Sequence, residues 1–218
     1  MRGYDDPCGI ARALGVIGER WALLVVRELI FGPKRFTDLR RGLTGISENV
    51  LSQRLRELER AGIVRRRRFG PPSSTWGYEL TDRGRELEPV LITLGQWGTR
   101  IPVSDSTNPG LSVDALIFAL KTTFDAEIAG PLEAVVQLQL GDDRFRAEVW
   151  HGHFRVARGE VDNADVTIAA DAPTLQSFVF ADRPLADAEQ AGEATIVGNR
   201  DVAEHLLRCF PRSVGFTQ

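Results

Sequence analysis

Cysteine is scarce in this chain: Cys8 and Cys209 are the two among 218 residues, too few for a disulfide framework and without metal-ligand spacing. Long apolar runs are missing as well. The run Ala22 to Val26 is far short of the ~18 residues that a membrane helix needs. The first six residues, Met1-Arg2-Gly3-Tyr4-Asp5-Asp6, contain no apolar core of a secretory signal, so a cytoplasmic location is expected, with no membrane partner. His151 and His153 flank Gly152 in a turn, and no two further ligands stand at metal spacing. Neither cysteine has a histidine at nucleophile spacing, and the carboxylates are scattered. No catalytic residue, metal or cofactor is therefore assigned, and an enzyme is not expected. What remains is 43% hydrophobic and 26% charged, the composition of a soluble globular protein of one or two domains.

The net charge of −3 hides an asymmetry. Residues 1–103 hold 18 Lys and Arg against 12 Asp and Glu, a net of +6, whereas the remainder holds 9 against 18, a net of −9. A basic first half and an acidic second half point to two domains, the first with a polyanionic partner.

The first half is organised around residues 47–80. Leu51, Leu55 and Leu58 recur at i, i+4 and i+7, the apolar stripe of a helix whose N-cap is Ser47. The opposite face carries Asn49, Gln53, Arg56 and Arg60, planar amides and guanidinium forks suited to base edges and phosphates. Ala61-Gly62 ends the helix. A strand follows with Arg65, Arg66, Arg67 and Arg68, which alternate in direction, so two of the four can face DNA at once. Of these, Arg66, Arg67 and Arg68 are the candidate contacts, with Ser73 and Ser74 of the Pro-Ser wing tip. Trp76, Tyr78 and Leu80 return along one apolar face.

Upstream, Pro7 to Gly18 reads as a helix with Ile10, Ala11, Leu14 and Ile17 on one side, and about Glu19 to Phe31 as a largely buried one. Gly32-Pro33 stops it. The short helix Phe36 to Gly42 bears Thr37 near its start and is surrounded by Lys34, Arg35, Arg40 and Arg41, candidate phosphate contacts. Two short helices joined by a tight turn, the second exposing amides and guanidinia, make a helix-turn-helix. After the wing, one long helix from Thr81 to about Arg100 carries Leu87, Val90, Leu91, Leu94 and Trp97, an apolar stripe expected to form a dimer interface with the first helix.

Residues 8–98 resemble the HxlR-type (MarR-like) winged-helix transcriptional regulators. The matching residues are Cys8, Ala11 to Gly18, Arg20-Trp21, Leu24 to Leu29, Gly32-Pro33, Phe36 to Leu39, Ile46-Ser47, Leu51 to Leu58, Ala61 to Val64, Pro71-Pro72, Tyr78 to Thr81 and Gly84. The resemblance implies a homodimer on a two-fold-related site in double-stranded DNA, acting as a repressor. In two places the chain departs from the pattern: Gly9 stands where the family commonly has proline after the cysteine, and the segment between Pro72 and Tyr78 is longer than usual. Some members sense oxidants through the N-terminal cysteine, which makes Cys8 a redox candidate, although Asp5 and Asp6 oppose thiolate formation there.

Residues 102–112, rich in Pro, Ser and Gly, read as a linker between a domain of residues 1–101 and one of residues 113–218. In the second, Val113 to Ala129 reads as a helix, and alternating runs around Val136-Leu140, Phe145-Val149, Phe154-Val156, Val166-Ala170 and Thr195-Gly198 as strands. Helices at Ala172 to Ala181, Pro184 to Ala191 and Asp201 to Phe210 follow or interrupt them. The expected class is α+β, a largely antiparallel five-stranded sheet covered by helices, behind a mainly α-helical winged helix-turn-helix. This half resembles the sterol carrier protein type 2 domain through Gly141-Asp142-Asp143, Gly159, Ala164 to Ile168, Asp171, Leu175, Gly192, Ile196, Gly198 and Leu206-Leu207. That resemblance implies a hydrophobic small-molecule effector in a cavity, for which Phe118, Phe124, Trp150, Phe178, Phe180, Leu206 and Phe210 are the candidates. Two other readings are a lipid carrier or scaffold whose winged helix serves dimerisation, and a regulator whose second domain is purely structural.

Overall fold

The computed structural model describes residues 5–70, 75–101 and 110–211. The chain forms two compact units, Met1–Ile92 and Thr93–Gln218. Most of the expected linker, residues 102–109, lies outside the described residues, as do Pro71 to Ser74 of the wing tip.

The first unit holds α1 (Gly9–Ile17), α2 (Ala22–Leu29), β1 (Lys34–Arg35), α3 (Phe36–Gly42), α4 (Glu48–Arg60), β2 (Val64–Arg68), β3 (Trp76–Leu80) and α5 (Asp82–Arg85), and enters α6 (Leu87–Gly98). Its core is built where the apolar period placed it: Val25, Val26 and Leu29 of α2, Leu39 of α3, and Leu51, Leu55 and Leu58 of α4 are all buried. Removal of one such leucine costs roughly 2–5 kcal/mol, so this cluster sets the tilt of α4. α2 starts three residues later than expected, because Trp21 has φ 79°, outside the helical region. The first helix also differs from expectation. Ala11 is buried, but Ile10 is 73% exposed and Leu14 43%.

Strands β2, β3 and the short β1 pair antiparallel in the order β1-β3-β2. β1 was not foreseen, since a two-residue strand carries no periodic signal. The single helix expected from Thr81 is broken at Glu86. Pro89 explains the break: it has no N–H to bond the Arg85 carbonyl, and its ring crowds that carbonyl. Gly84 allows α5 to lie close to the start of β2, because a Cβ there would collide with the Ile63 carbonyl. Thr81 caps the same turn and donates its hydroxyl to Gly62 O at 2.6 Å.

The second unit continues with α7 (Val113–Thr123), α8 (Ala126–Ala129), β4 (Ala134–Leu140), β5 (Asp143–Trp150), β6 (His153–Arg158), β7 (Val166–Ala170), α9 (Ala172–Phe180), α10 (Leu185–Gln190), β8 (Ala194–Gly198) and α11 (Arg200–Arg208). The helix expected over Val113 to Ala129 is interrupted at Asp125, whose carboxylate accepts from the Glu127 and Ile128 amides and starts α8 afresh. The five strands form one sheet in the order β6-β5-β4-β7-β8. It is mixed rather than purely antiparallel, because β4 and β7 run parallel, Val136 opposite Val166. The crossover from β6 to β7, residues 159–165, makes that possible. Buried Gln137 pins it, donating to Gly159 O at 3.3 Å and accepting from the Val161 amide at 2.8 Å. One sheet face carries the buried Leu138, Phe145, Val149 and Ile168; α7 packs on β6, α11 on β7 and β8, and α9 against α7 and α11.

Candidate nucleic-acid interface and apolar cleft

Helix α4 begins where Ser47 accepts a hydrogen bond from the Val50 amide at 3.3 Å, an N-cap that aligns the first turn. With its leucines in the core, α4 exposes Asn49, Gln53, Arg56 and Arg60. Gln53 donates to Glu57 Oε1 at 3.0 Å, an i,i+4 bond on the surface that holds the amide along the helix. Arg56 and Arg60 have no ion-pair partner among the described residues. Arg54 on the buried side is tied to Glu57 and, at 3.6 Å, to Glu19.

Around α3 the predicted cations divide. Lys34 is committed to an internal pair: its ammonium lies 2.7 Å from the carboxylate of Glu28, which is fully buried. A buried carboxylate demands a counter-charge, so Lys34 serves the fold of the first unit before any ligand. Arg35 is exposed, and its guanidinium stands 5.7 Å above the Phe69 ring. Thr37 is exposed in the first turn of α3, and Arg40 is exposed but paired with Glu48 at the start of α4.

The wing arginines separate by strand parity. Arg65 and Arg67 both bond Glu79, at 2.8 and 2.9 Å, and that carboxylate is 7% exposed. The Arg67 hydrogen bond above all, with Arg65 beside it, outweighs burial and holds the Glu79 carboxyl below the usual carboxylate range. Arg66 and Arg68 lie on the other face. Arg66 stands over the Tyr78 ring at 6.0 Å with Glu59 3.7 Å away, and Arg68 has no ion pair among the described residues. The expected trio of Arg66, Arg67 and Arg68 is thus split across the sheet. Ser73 and Ser74 lie outside the described residues. On the Glu79 face, Gly77 is roofed by Phe69, leaving no room for a Cβ.

Cys8 is exposed and caps α1, its Sγ accepting from the Ala11 amide at 3.4 Å, while its own amide bonds Asp6. Cys209 is buried, and burial pushes its thiol up to about 11.

In the second unit the seven predicted cavity residues do not surround one space. Phe118 and Leu206 are buried in the core. Phe124, Phe154 and Phe210 form an aromatic cluster with centroids 5.2 to 5.9 Å apart. Phe178 and Phe210 line a cleft of about 680 Å³, together with Ile128, Leu185 and Leu207. Trp150, 59% exposed, lines a separate depression with His151, His153 and Asp165. Phe180, half-buried, lines neither of these two spaces. Sequence reasoning missed Glu79 and Glu28, although a lone acid within the apolar run LLVVREL was a legible sign of a buried pair. It also missed Leu207 and Arg208 as cleft residues. Among the described residues no three His, Cys, Asp or Glu side chains gather as a metal group, and no helix is long and apolar enough to cross a membrane.

Comparison with known proteins bears on the first unit. The family model for the HxlR-like helix-turn-helix matches residues 16–105. An HTH-type transcriptional regulator of Mycobacterium tuberculosis is 43% identical over 89 residues, 41% of this chain and 56% of that protein. The match therefore spans little more than half the length of this relative. The HTH-type transcriptional regulator YvaP of Bacillus subtilis is 36% identical over 88 residues, 40% of this chain and 82% of that protein. A solved MarR-family transcriptional regulator from Enterococcus faecalis is 38% identical, with a TM-score of 0.39 over 45% of this chain and 89% of that one. Through its first unit, the chain belongs to the HxlR-like helix-turn-helix family.

Proposed function

We propose that this protein is a transcriptional regulator that binds double-stranded DNA as a homodimer, acts as a repressor, and answers to a hydrophobic effector held by its second unit. The observation that carries the reading is the exposed face of α4. Asn49, Gln53, Arg56 and Arg60 project from a helix whose opposite side is locked into the core by three buried leucines. In the major groove, amides pair with adenine edges and guanidinia with guanine. Arg66 and Arg68 of the wing and Arg35 beside α3 supply phosphate contacts, which position the helix without reading sequence. The dimer is supported by α6, where Val90, Leu94 and Trp97 repeat at i, i+4 and i+7 and are 45–62% exposed. The resemblance of the second unit to the sterol carrier fold, with its apolar cleft, supports the effector role. The protein then works by linkage and not by catalysis, in the cytoplasm. A ligand shifts DNA affinity only by its differential affinity for the two states.

The test is fluorescence anisotropy of a labelled duplex from upstream of the protein's own gene, beside an unrelated duplex, across about 50–200 mM salt. A regulator binds the first more tightly and loses affinity steeply with salt. Equal, salt-independent or absent binding to both refutes the reading and favours a carrier whose winged helix only dimerises.

A further inference from the structure

We propose that the depression of about 600 Å³ around Trp150 binds a small organic cation, an ammonium carrying apolar groups, with its charge between the Trp150 indole and the carboxylates of Glu133 and Asp165. The site lies on the sheet face turned away from the buried one, and the proposal does not rest on the hydrophobic effector. Strand alternation puts it there. Val149 is buried, so Glu148 and Trp150 on either side of it in β5 point outward, as does Val135 between buried Ala134 and Val136 in β4. The volume is within the roughly 300–1,000 Å³ of small-molecule sites. Trp150 is 59% exposed, yet it stands in a concave space and not on an open surface. His151 meets its ring at 68°, with centroids 4.9 Å apart, and limits how the indole can turn.

Sheet register sorts the charges around this ring. One row across the strands runs Arg155, Glu148, Val135 and Asp165, and the next brings His153, Trp150 and Glu133 together. Asp165 is fixed in its row by Val135, whose amide donates to its carboxylate at 2.7 Å and whose carbonyl accepts from its amide at 2.8 Å. Glu133 precedes β4 and lies 3.4 Å from His151 Nδ1, on the Trp150 side. Glu148 is already engaged: it is paired with Arg146 and faces Arg155 across β5 and β6.

Arg155 also lines the depression, and its charge opposes a cation. It stands three strand spacings from Asp165, about 14 Å. That exceeds the screening length of about 8–10 Å, so Arg155 acts on Glu148 and little on a charge held at the far end. The far end therefore offers two exposed carboxylates without a Lys or Arg partner among the described residues, beside an indole. The face of an indole attracts a cation, and Trp150 and Val135 give its apolar groups a wall. An anion meets two like charges there, and a neutral molecule gains neither attraction.

A titration of the nitrogen-15-labelled full chain with benzyltrimethylammonium chloride, benzyl alcohol and sodium benzoate, followed by backbone and indole N–H shifts, tests this. The cation should saturate one site per chain and shift the Trp150 indole signal, which Trp150→Leu identifies by removing it. Its Kd should be at least about fivefold below that of benzyl alcohol, with benzoate weaker still. Trp150→Leu keeps an apolar wall, so the alcohol should bind as before while the cation loses about two- to fivefold. Glu133→Gln, an exposed change outside any strand, should cost the cation about twofold and the alcohol nothing. Adding Asp165→Asn, which keeps an oxygen for the Val135 amide, should erase most of the preference. Equal affinity for cation and alcohol, tighter binding of benzoate, or a preference untouched by these variants overturns the proposal. So does saturation without a shift at Trp150, or no binding of the cation at all.

Discussion

The wing makes a prediction that separates two arginines adjacent in sequence. Arg67 is held by Glu79 on one face of the hairpin, whereas Arg68, on the other, has no ion pair among the described residues. If Arg68 meets a phosphate, Arg68→Ala removes one contact per subunit and two per dimer. The slope of log K against log salt is about 0.9 per contact, so it should become shallower by about 1.8. Near ~0.1 M salt the electrostatic part alone is then about an eightfold loss per contact, or roughly sixtyfold per dimer. Arg67→Ala should behave differently. It takes one of two charge-assisted bonds from a buried carboxylate, but its own side chain is 52% exposed, so solvent screening reduces the loss to about 1 kcal/mol of folding stability. Its salt slope should stay close to that of the natural protein. Anisotropy titrations across about 50–200 mM salt, with urea unfolding of the same three proteins, measure both quantities. If Arg67→Ala flattened the slope as much as Arg68→Ala, the partition of the wing by strand parity would be wrong as a guide to DNA contact.

Glu79→Gln should cost stability in a pH-dependent way. The folded-state carboxyl is depressed, so its contribution is full above the ordinary value of about 4.3 and is lost as pH falls through the folded-state value. Unfolding followed from pH 7 to pH 3 should show the two proteins converging in acid, and a constant gap would refute the pairing. Gly84→Ala should be severely destabilising, by about 2 kcal/mol or more, since the added methyl meets the Ile63 carbonyl backbone rather than a flexible side chain. A thermal midpoint within a degree of the natural protein would contradict that packing. A thiol reagent at neutral pH should modify Cys8 readily in the native chain, and Cys209 only after unfolding, because Cys209 is buried and its thiol lies at about 11. Leu94→Arg should reduce the sedimentation coefficient to that of a monomer if α6 carries the dimer contact.

Helix α4 was legible because its information is periodic. Three leucines at i, i+4 and i+7 with Ser47 before them give both the buried stripe and the start, and the structure has the cap and the burial. Strand alternation likewise separated the four arginines into two pairs. It could not say which pair would meet Glu79, because that depends on hairpin register across a loop with no periodic signal. The break before α6 was available in principle: Pro89 forbids the helical bond to Arg85, but the leucine stripe continues through it and hides the break. The parallel β4–β7 pairing follows from a crossover pinned by one buried glutamine, a tertiary contact with no local trace. Cavity walls were the least legible. Phe118 and Phe178 have the same sequence character, yet one fills the core and the other lines a cleft. What separates them is how neighbouring helices diverge, not the residue itself.

The exposed face of α4 is tested most directly by selecting bound sequences from a randomised duplex pool with the natural protein and with Gln53→Ala. DNA reading by this helix predicts that the natural protein enriches a two-fold-related site with half-sites about one helical turn apart. It also predicts that Gln53→Ala loses about 1–3 kcal/mol of discrimination at one position of each half-site, while non-specific affinity is unchanged. Enrichment of the same site to the same depth by both proteins, or of no site by either, would contradict it.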